Sequence, residues 1–495
     1  MKKQTISQKS AIGTSSVPKR FALNSDAQRG HGARCGEGWT RREVLQAGVA
    51  ALGVAAVAKF SVLDAFAQSG TVTRYPLRIP LVVSPTALSL LCQTARVDLG
   101  GGNLSNVLAY NGQFPGPTLL ARRGDRCTIR LHNGLNEETI THWHGMHVDS
   151  ANDGGPQLAF GPGQFYDYDF PIVQRACLNF YHPHAHMLTG KQVNLGLAGG
   201  FIVRDAEEDA LALPAGPYEV PLVIRDAKRD NKGNLVYKAA SSGFNGDIPL
   251  VNGTLNPWLG VDRGVYRFRV VIGSNARVFR LALNNGAPFT VIGNDNGLLP
   301  SPVNVTQIEV GPGERLDLLV NFAALARGGR VMLRCLDARW DLLEFVGSGN
   351  PGYGYLVPGV LSTVTPLANP VRLRTFSFDG MSRINGQQFA MERIDFQVPF
   401  GEVELWRFTS NGNAPHPVHV HGASFQVASR TGGRGRLFPW ESGWKDTVLL
   451  HDRESVEVLI RFDRQPHYAG PQLYVIHCHQ LEHEDMGMMS NFVVV

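Results

Sequence analysis

The chain has 495 residues, of which 43% are hydrophobic and 18% charged, with 55 Gly and 29 Pro. At roughly 100–200 residues per domain this length suits about three domains, and the apolar content excludes bulk disorder. The net charge of +5 is concentrated at the front: residues 1–67 hold ten Lys or Arg against four Asp or Glu, and the remainder 37 against 38, so the body of the chain offers no basic surface for nucleic acid.

The front segment reads as a leader. Arg41-Arg42 precede an almost uninterrupted apolar run from Val44 to Ala58, and Ala65-Phe66-Ala67 follows as a small-x-small cleavage pattern. The run is shorter than the roughly 20 apolar residues that span a bilayer. Residues 1–67 are therefore expected to be an export signal resembling the twin-arginine type, giving a periplasmic or secreted mature chain without a membrane span.

From residue 68 onward, short β-branched and aromatic runs alternate with period two between Gly, Pro and Asn turns. Examples are Cys127–Leu131, Tyr266–Ile272 and Val403–Phe408. Helical periodicity is weak, so the predicted fold class is all-β, built from sheet sandwiches. Asn111-Gly112, Asn252-Gly253 and Asn385-Gly386 each precede a second glycine, Gly124, Gly264 or Gly401, that opens an alternating strand. This long-period repeat predicts three copies of one unit, at 68–210, 211–362 and 363–495. His142 and His144 lie 18 and 20 residues beyond Gly124, and His419 and His421 lie at the same offsets from Gly401; the equivalent residues after Gly264 are Ala282 and Asn284. The first and third units are thus expected to carry ligands and the middle one none.

Five cysteines follow the leader: Cys92, Cys127, Cys177, Cys335 and Cys478. They are too few for a disulfide framework, although spacing leaves one or two bridges open among the first four.

Ten histidines fall into four motifs: His142-Trp143-His144, His182-Pro183-His184, His416-Pro417-Val418-His419-Val420-His421, and His477-Cys478-His479 continuing to His483. On a strand, residues i and i+2 share a face, so each His-x-His presents two imidazoles together, and four pairs make eight ligands. Imidazole alone does not choose among zinc, copper, iron and nickel; Cys478 does. Two histidines, one thiolate and a weak axial Met describe a blue-copper site, and His416, Cys478, His483 and Met488 supply that set, with Met486 and Met489 as nearby axial alternatives. If Cys478 points to one side of its strand, His477 and His479 point to the other, which joins a mononuclear site to a histidine cluster through adjacent backbone.

These motifs resemble the four copper signatures of the multicopper oxidases, the group that includes laccases, bilirubin oxidases and bacterial cuprous oxidases. The resemblance implies three cupredoxin-like Greek-key β-sandwich domains and four copper ions. It places the type 2 copper on His142 and His419, and the type 3 pair on His144, His182, His184, His421, His477 and His479. The type 1 copper falls on His416, Cys478, His483 and Met488, with His483 as the exposed edge for electron entry and His416 next. Asp153 and Glu484 resemble the family's proton-supplying carboxylates. Trp440–Thr447 resembles a substrate-side loop, and also reads simply as aromatic packing before a turn. His147 and His186 are read as neighbours of the ligands, and His132, His451 and His467 as ordinary surface or capped histidines.

The expected partners are dioxygen and a small reducing substrate such as a phenol, aromatic amine or tetrapyrrole, acting on a monomer. Two alternatives stand beside this reading. A cuprous oxidase for copper tolerance is weakened because only Met381 and Met391 lie between Asp341 and Pro415, where thioethers would select Cu(I). A copper-free periplasmic scaffold of the same fold would be marked by lost ligands, and none is lost.

Overall fold

The alternating segments form strands. In this computed structural model, which describes residues 72–410 and 415–495, they lie within Arg126–Asn133, Val265–Ile272 and Val403–Ser410. The leader expected over 1–67 lies outside the described residues. Val403–Ser410 buries every second residue, as a strand with one face on a core must. Val265–Ile272 is buried along its whole length. Its two arginines are neutralised there, Arg267 by Asp317 and Glu208, and Arg269 by Glu208 and Glu219.

Six sheets pair into three sandwiches, as the all-β reading expects. A four-stranded sheet (104–110, 88–98, 126–133, 165–171) and a five-stranded one (82–83, 118–122, 199–204, 177–183, 141–144) enclose a core that includes Leu90, Ile129, Trp143 and Phe201. Two six-stranded sheets enclose a second core around Phe268, Leu281, Leu318 and Phe345. Two five-stranded sheets enclose a third around Trp406, Phe408, Val458 and Phe492. One short strand crosses between units: Tyr75–Pro76 pairs with Pro257 and Trp258 of the middle sandwich. Among the described residues no helix is long and apolar enough to cross a membrane.

The three Asn-Gly landmarks adopt one geometry. Asn111, Asn252 and Asn385 have φ of 51, 48 and 52°, and the glycines that follow have 72, 66 and 75°. Two successive positive φ values match a tight two-residue hairpin turn, which Asn-Gly suits better than most pairs. Each Asn Oδ1 accepts from a neighbouring strand's backbone, at Leu91, Val223 or Ser377, and each Nδ2 donates to a carbonyl two residues earlier, at Ser89, Pro221 or Thr375. The second landmark is less uniform. Gly124 and Gly401 have φ of 97 and 79°, whereas Gly264 is required because a Cβ there would come within 2.5 Å of the Tyr353 nitrogen.

The cysteines Cys92, Cys127, Cys177 and Cys335 are all buried and free. The bridges that spacing left open are therefore absent; Cys335 packs in the middle core and Cys92 and Cys127 in the first.

The side chain of Asn252 is fully buried and that of Asn111 is exposed. Asn252→Ala should lower stability by about 1–3 kcal/mol, because its buried backbone partners lose their bonds, and Asn111→Ala by distinctly less. Urea unfolding of the two variants checks the order.

Candidate metal centres

Sheet pairing sets the histidine faces opposite one another. In the first sandwich His142, on Thr141–His144, lies across from His182, on Cys177–Pro183. In the third, His419, on His416–Val420, lies across from His477, on Gln472–Cys478. The structure gathers these rings into three buried all-histidine groups: His142 with His144 and His419, His144 with His182 and His479, and His184 with His421 and His477. Each mixes residues of the first and third sandwiches. Nε2 atoms face one another at 3.4 Å for His142 and His419, His184 and His477, and His182 and His479, and at 3.1 Å for His421 and His477.

Outer hydrogen bonds decide which nitrogen points inward. Nδ1 of His142 donates to the Asp153 carbonyl (2.7 Å), that of His182 to the Pro183 carbonyl (2.9 Å), that of His419 to the Asp446 carbonyl (2.9 Å) and that of His421 to Asp153 Oδ2 (2.7 Å). A carbonyl or carboxylate only accepts, so the proton sits on Nδ1 and the Nε2 lone pair faces the cluster. His144 is reversed: its Nε2 is 2.9 Å from both Asp446 Oδ1 and Thr447 Oγ1, and its Nδ1 has no hydrogen-bond partner. Burial is the main force on these rings. It holds His142, His144, His421, His477 and His479 well below the usual imidazole range and brings His182 and His184 down to about 3. They are neutral ligands at ordinary pH.

Cys478 turns the other way, into the third core. Its Sγ is 3.4 Å from His416 Nδ1 and 3.7 Å from His483 Nδ1, and the two nitrogens are 3.2 Å apart. Burial pushes the thiol up, so a bound cation is what would favour the thiolate. Met488 is fully buried in the same core. Of the alternatives, Met489 lines a cavity with Arg374 and Phe396, and Met486 is half-buried.

The exposed edge expected at His483, with His416 as runner-up, is corrected: both rings are 0% exposed. The segment 237–244 of the middle sandwich straps the short helix Leu481–Asp485. Glu482 is the buckle. Its carboxylate accepts from Tyr237 Oη (3.1 Å), Phe244 N (2.8 Å) and Asn275 Nδ2 (2.7 Å), while Gly243 packs so close to Gln480 that a Cβ would overlap its side chain.

Two buried carboxylates flank the cluster on different sides. Asp153 ties the stacked rings of His142 and His421, whose centroids are 3.8 Å apart. Glu484 has oxygens 3.5 Å from His184 Nδ1 and 3.2 Å from His477 Nδ1. Burial raises both carboxyls, that of Asp153 well above the ordinary range, so each can hold a proton beside the ligands.

The 440–447 segment divides. Trp440 packs on the middle core, but Lys445, Asp446 and Thr447 turn inward: Lys445 pairs with Asp295 (2.9 Å), and Asp446 and Thr447 contact His144 and His419. The sequence marks Asp446 and Thr447 only as part of a segment resembling a substrate-side loop, and does not mark Glu482 or Arg315, which grips Asp446. No spacing rule points to these roles, because their partners lie on distant segments, and those of Arg315 and Glu482 on other sandwiches. Of the remaining histidines, His147 bonds Ser424 Oγ (2.8 Å), His186 stands beside Phe389, His451 pairs with Glu309 and His467 lies against Tyr468. The partly buried ring of His132 lies near Phe165.

The donors fit copper. The inward nitrogens of His142, His182, His419 and His421 lack protons because their outer nitrogens donate, and the inward Nδ1 of His144 has no hydrogen-bond partner. One thiol lies between two imidazoles with the Met488 thioether in the same core, the donor set of a blue-copper site rather than the two to four thiolates of a closed structural zinc site.

Acid should unfold the copper-free chain early. Depressed imidazoles contribute stability above pH ~6.5, where the unfolded rings are also neutral; it is lost as pH falls toward the folded values, about 4 for His416 and about 3 for His182, His184 and His483. Each such ring costs about 1.4 kcal/mol per pH unit in that window. The raised carboxyls of Asp153 and Glu484 act oppositely but are outnumbered. The urea midpoint of copper-free protein should be clearly lower at pH 5 than at pH 7; equal midpoints would contradict buried neutral imidazoles.

Two sequence profiles described as multicopper oxidase match residues 92–208 and 363–495. The bilirubin oxidase of Albifimbria verrucaria is 34% identical over 429 residues, covering 80% of this chain and 73% of the relative. The cell division protein FtsP of Escherichia coli (strain K12) is 31% identical over 482 residues, covering 92% and 98%. The crystal structure of McoA multicopper oxidase from Aquifex aeolicus superimposes with a TM-score of 0.79 at 34% identity, covering 86% of this chain and all of the other. With these matches and this donor set, the chain belongs to the multicopper oxidase family.

Proposed function

We propose that the chain is a laccase-like oxidase that takes single electrons from a small phenolic, aromatic amine or tetrapyrrole donor and passes them to dioxygen. The observation that carries this reading is the convergence of eight imidazoles on one side of a strand whose next residue, Cys478, meets His416 and His483 on the other. Three domains are proposed at 68–210, 211–362 and 363–495, after a twin-arginine-type export signal over 1–67. His416, Cys478, His483 and Met488 would hold a type 1 copper, His142 and His419 a type 2 copper, and His144, His182, His184, His421, His477 and His479 a type 3 pair. Bound there, copper supplies one-electron oxidation of the donor and four-electron reduction of dioxygen to water.

The protein's own residues set the terms of that chemistry. Cys478 shares peptide bonds with His477 and His479, so the two centres are joined by the shortest covalent path a strand permits. Asp153 and Glu484 hold protons at carboxyl oxygens within reach of His421 and His477. The bonds of Asp153 also fix ring orientation, and one residue can serve both roles. The strap over His483 keeps a donor off the ring edge, so the donor would meet the strap and the Glu482 side of the helix.

A copper-free scaffold is the second reading, favoured by similarity to a protein named for cell division over 92% of this chain. All twelve candidate ligands are present and buried here, which favours the oxidase. Cuprous oxidation is a third reading, separated from the first by the choice of donor.

Oxygen uptake by copper-loaded protein with a phenol, bilirubin and Cu(I) tests these readings, beside metal analysis. Four coppers with turnover of an organic donor supports the oxidase; fewer than three metals with no uptake supports the scaffold. Cys478→Ser should abolish the intense thiolate-to-copper absorption and stop turnover with every organic donor. Asp153→Asn should keep the colour and slow dioxygen reduction by roughly 10²-fold or more, the scale of a lost general acid; an unchanged rate would remove its proton role.

A further inference from the structure

The middle sandwich has no histidine pair, since Ala282 and Asn284 stand where the other two repeats place ligands. It nevertheless sends one side chain to the cluster. Arg315, at the start of the strand Arg315–Asn321, is 0% exposed. Its guanidinium holds Asp446 in a two-pronged grip, Nη1 donating to Oδ1 at 2.7 Å and Nη2 to Oδ2. Its other donors reach the carbonyls of Leu178 (3.1 Å) in the first sandwich and of Gly313 (2.9 Å) and Asp295 (3.0 Å) in its own. One residue therefore bonds to all three sandwiches.

Asp446 passes the constraint on. Oδ1 accepts from His144 Nε2 (2.9 Å) and from Thr447 Oγ1 (2.8 Å), Thr447 Oγ1 lies 3.1 Å from His419 Nδ1, and the Asp446 carbonyl takes the His419 Nδ1 proton. His144 and His419 stack with centroids 3.6 Å apart and planes 11° from parallel. Space around the grip is closed on two sides by glycines in the left-handed region. A Cβ on Gly313 would come within 3.0 Å of His144 and His479, and one on Gly145 within 2.6 Å of Arg315 Nη2.

We infer that Arg315 is a positioning residue for the histidine cluster, contributed by the sandwich that holds none of the candidate ligands. By fixing both oxygens of Asp446 it keeps the His144 ring turned, so that Nδ1 rather than Nε2 faces the cluster, and it holds His419 beside it. With both oxygens taking guanidinium protons, the Asp446 carboxylate is held as an acceptor for His144 Nε2 and Thr447 Oγ1. Lysine keeps the charge but cannot make a planar two-pronged grip, which makes Arg315→Lys the informative change. The inference rests on the reading that these histidines hold copper.

The test titrates copper into metal-free, full-length protein by calorimetry and follows absorption and electron paramagnetic resonance. Wild type should saturate at four coppers. Arg315→Lys should still unfold cooperatively and keep the blue absorption of the Cys478 site, while copper affinity at the cluster falls 10–100-fold, as expected when a ligand's outer partner is lost, and the signals of the cluster coppers change. Arg267→Lys is the control. It disturbs a buried ion pair in the same sandwich, with Asp317, and should leave copper binding unchanged. Asp446→Asn, which leaves the arginine in place, should reproduce the cluster defect even if Arg315→Lys fails to fold. Wild-type affinity and cluster signals in folded Arg315→Lys, or in Asp446→Asn, overturn the inference. A wild-type chain that takes up fewer than three coppers overturns instead the copper reading beneath it.

Discussion

The structure depends on a buried seam between two sandwiches at which eight imidazoles face one another. Such an arrangement costs free energy without a cation, because each inward nitrogen has lost water and gained no donor. It is tolerable because most of the outer nitrogens are bonded: Asp153, Pro183 and Asp446 accept from the rings of His142, His182, His419 and His421, and several of those acceptors are backbone carbonyls. Binding of metal then couples to folding, since ligands assembled from two sandwiches do not exist as a site in the unfolded chain.

The mononuclear site follows from the same geometry. A strand's two faces make Cys478 and its neighbouring histidines diverge, so a thiol in the third core and imidazoles at the seam are joined by single peptide units. His483 comes from the short helix just beyond, and that helix is pinned by Glu482 to Tyr237, Phe244 and Asn275 of the middle sandwich. The strap therefore connects the helix that carries His483 to the sandwich that holds none of the candidate ligands. Together with Arg315, it gives the middle repeat two structural duties, one at each centre.

Which parts were legible in the sequence follows from the range of the signal. Alternation marked the strands, the Asn-Gly turns marked the repeat, and His-x-His spacing marked shared faces, because all three are local and a strand has period two. Arg315 and Asp446 carry no such mark. They are 131 residues apart, and an arginine opening a strand or an aspartate before one is common. The 440–447 segment resembles a loop toward substrate, yet its last three residues turn inward because Thr447 begins an edge strand paired with His419. His483 was expected to present an edge; burial of that edge by a segment more than 200 residues earlier is invisible to spacing.

The sequence by itself determined the list of candidate ligands, the repeat and the all-β architecture, since each depends on residues within a few positions of one another or on one long period. Only the tertiary structure decided which nitrogen of each ring faces inward, because that depends on the acceptor behind it: a carbonyl for His142, Asp153 for His421, and for His144 the reversed grip of Asp446 and Thr447. It likewise decided that His416 and His483 are covered and that Cys92, Cys127, Cys177 and Cys335 stay unpaired. Proximity between distant segments is set by how sheets stack, and no short window of sequence contains it.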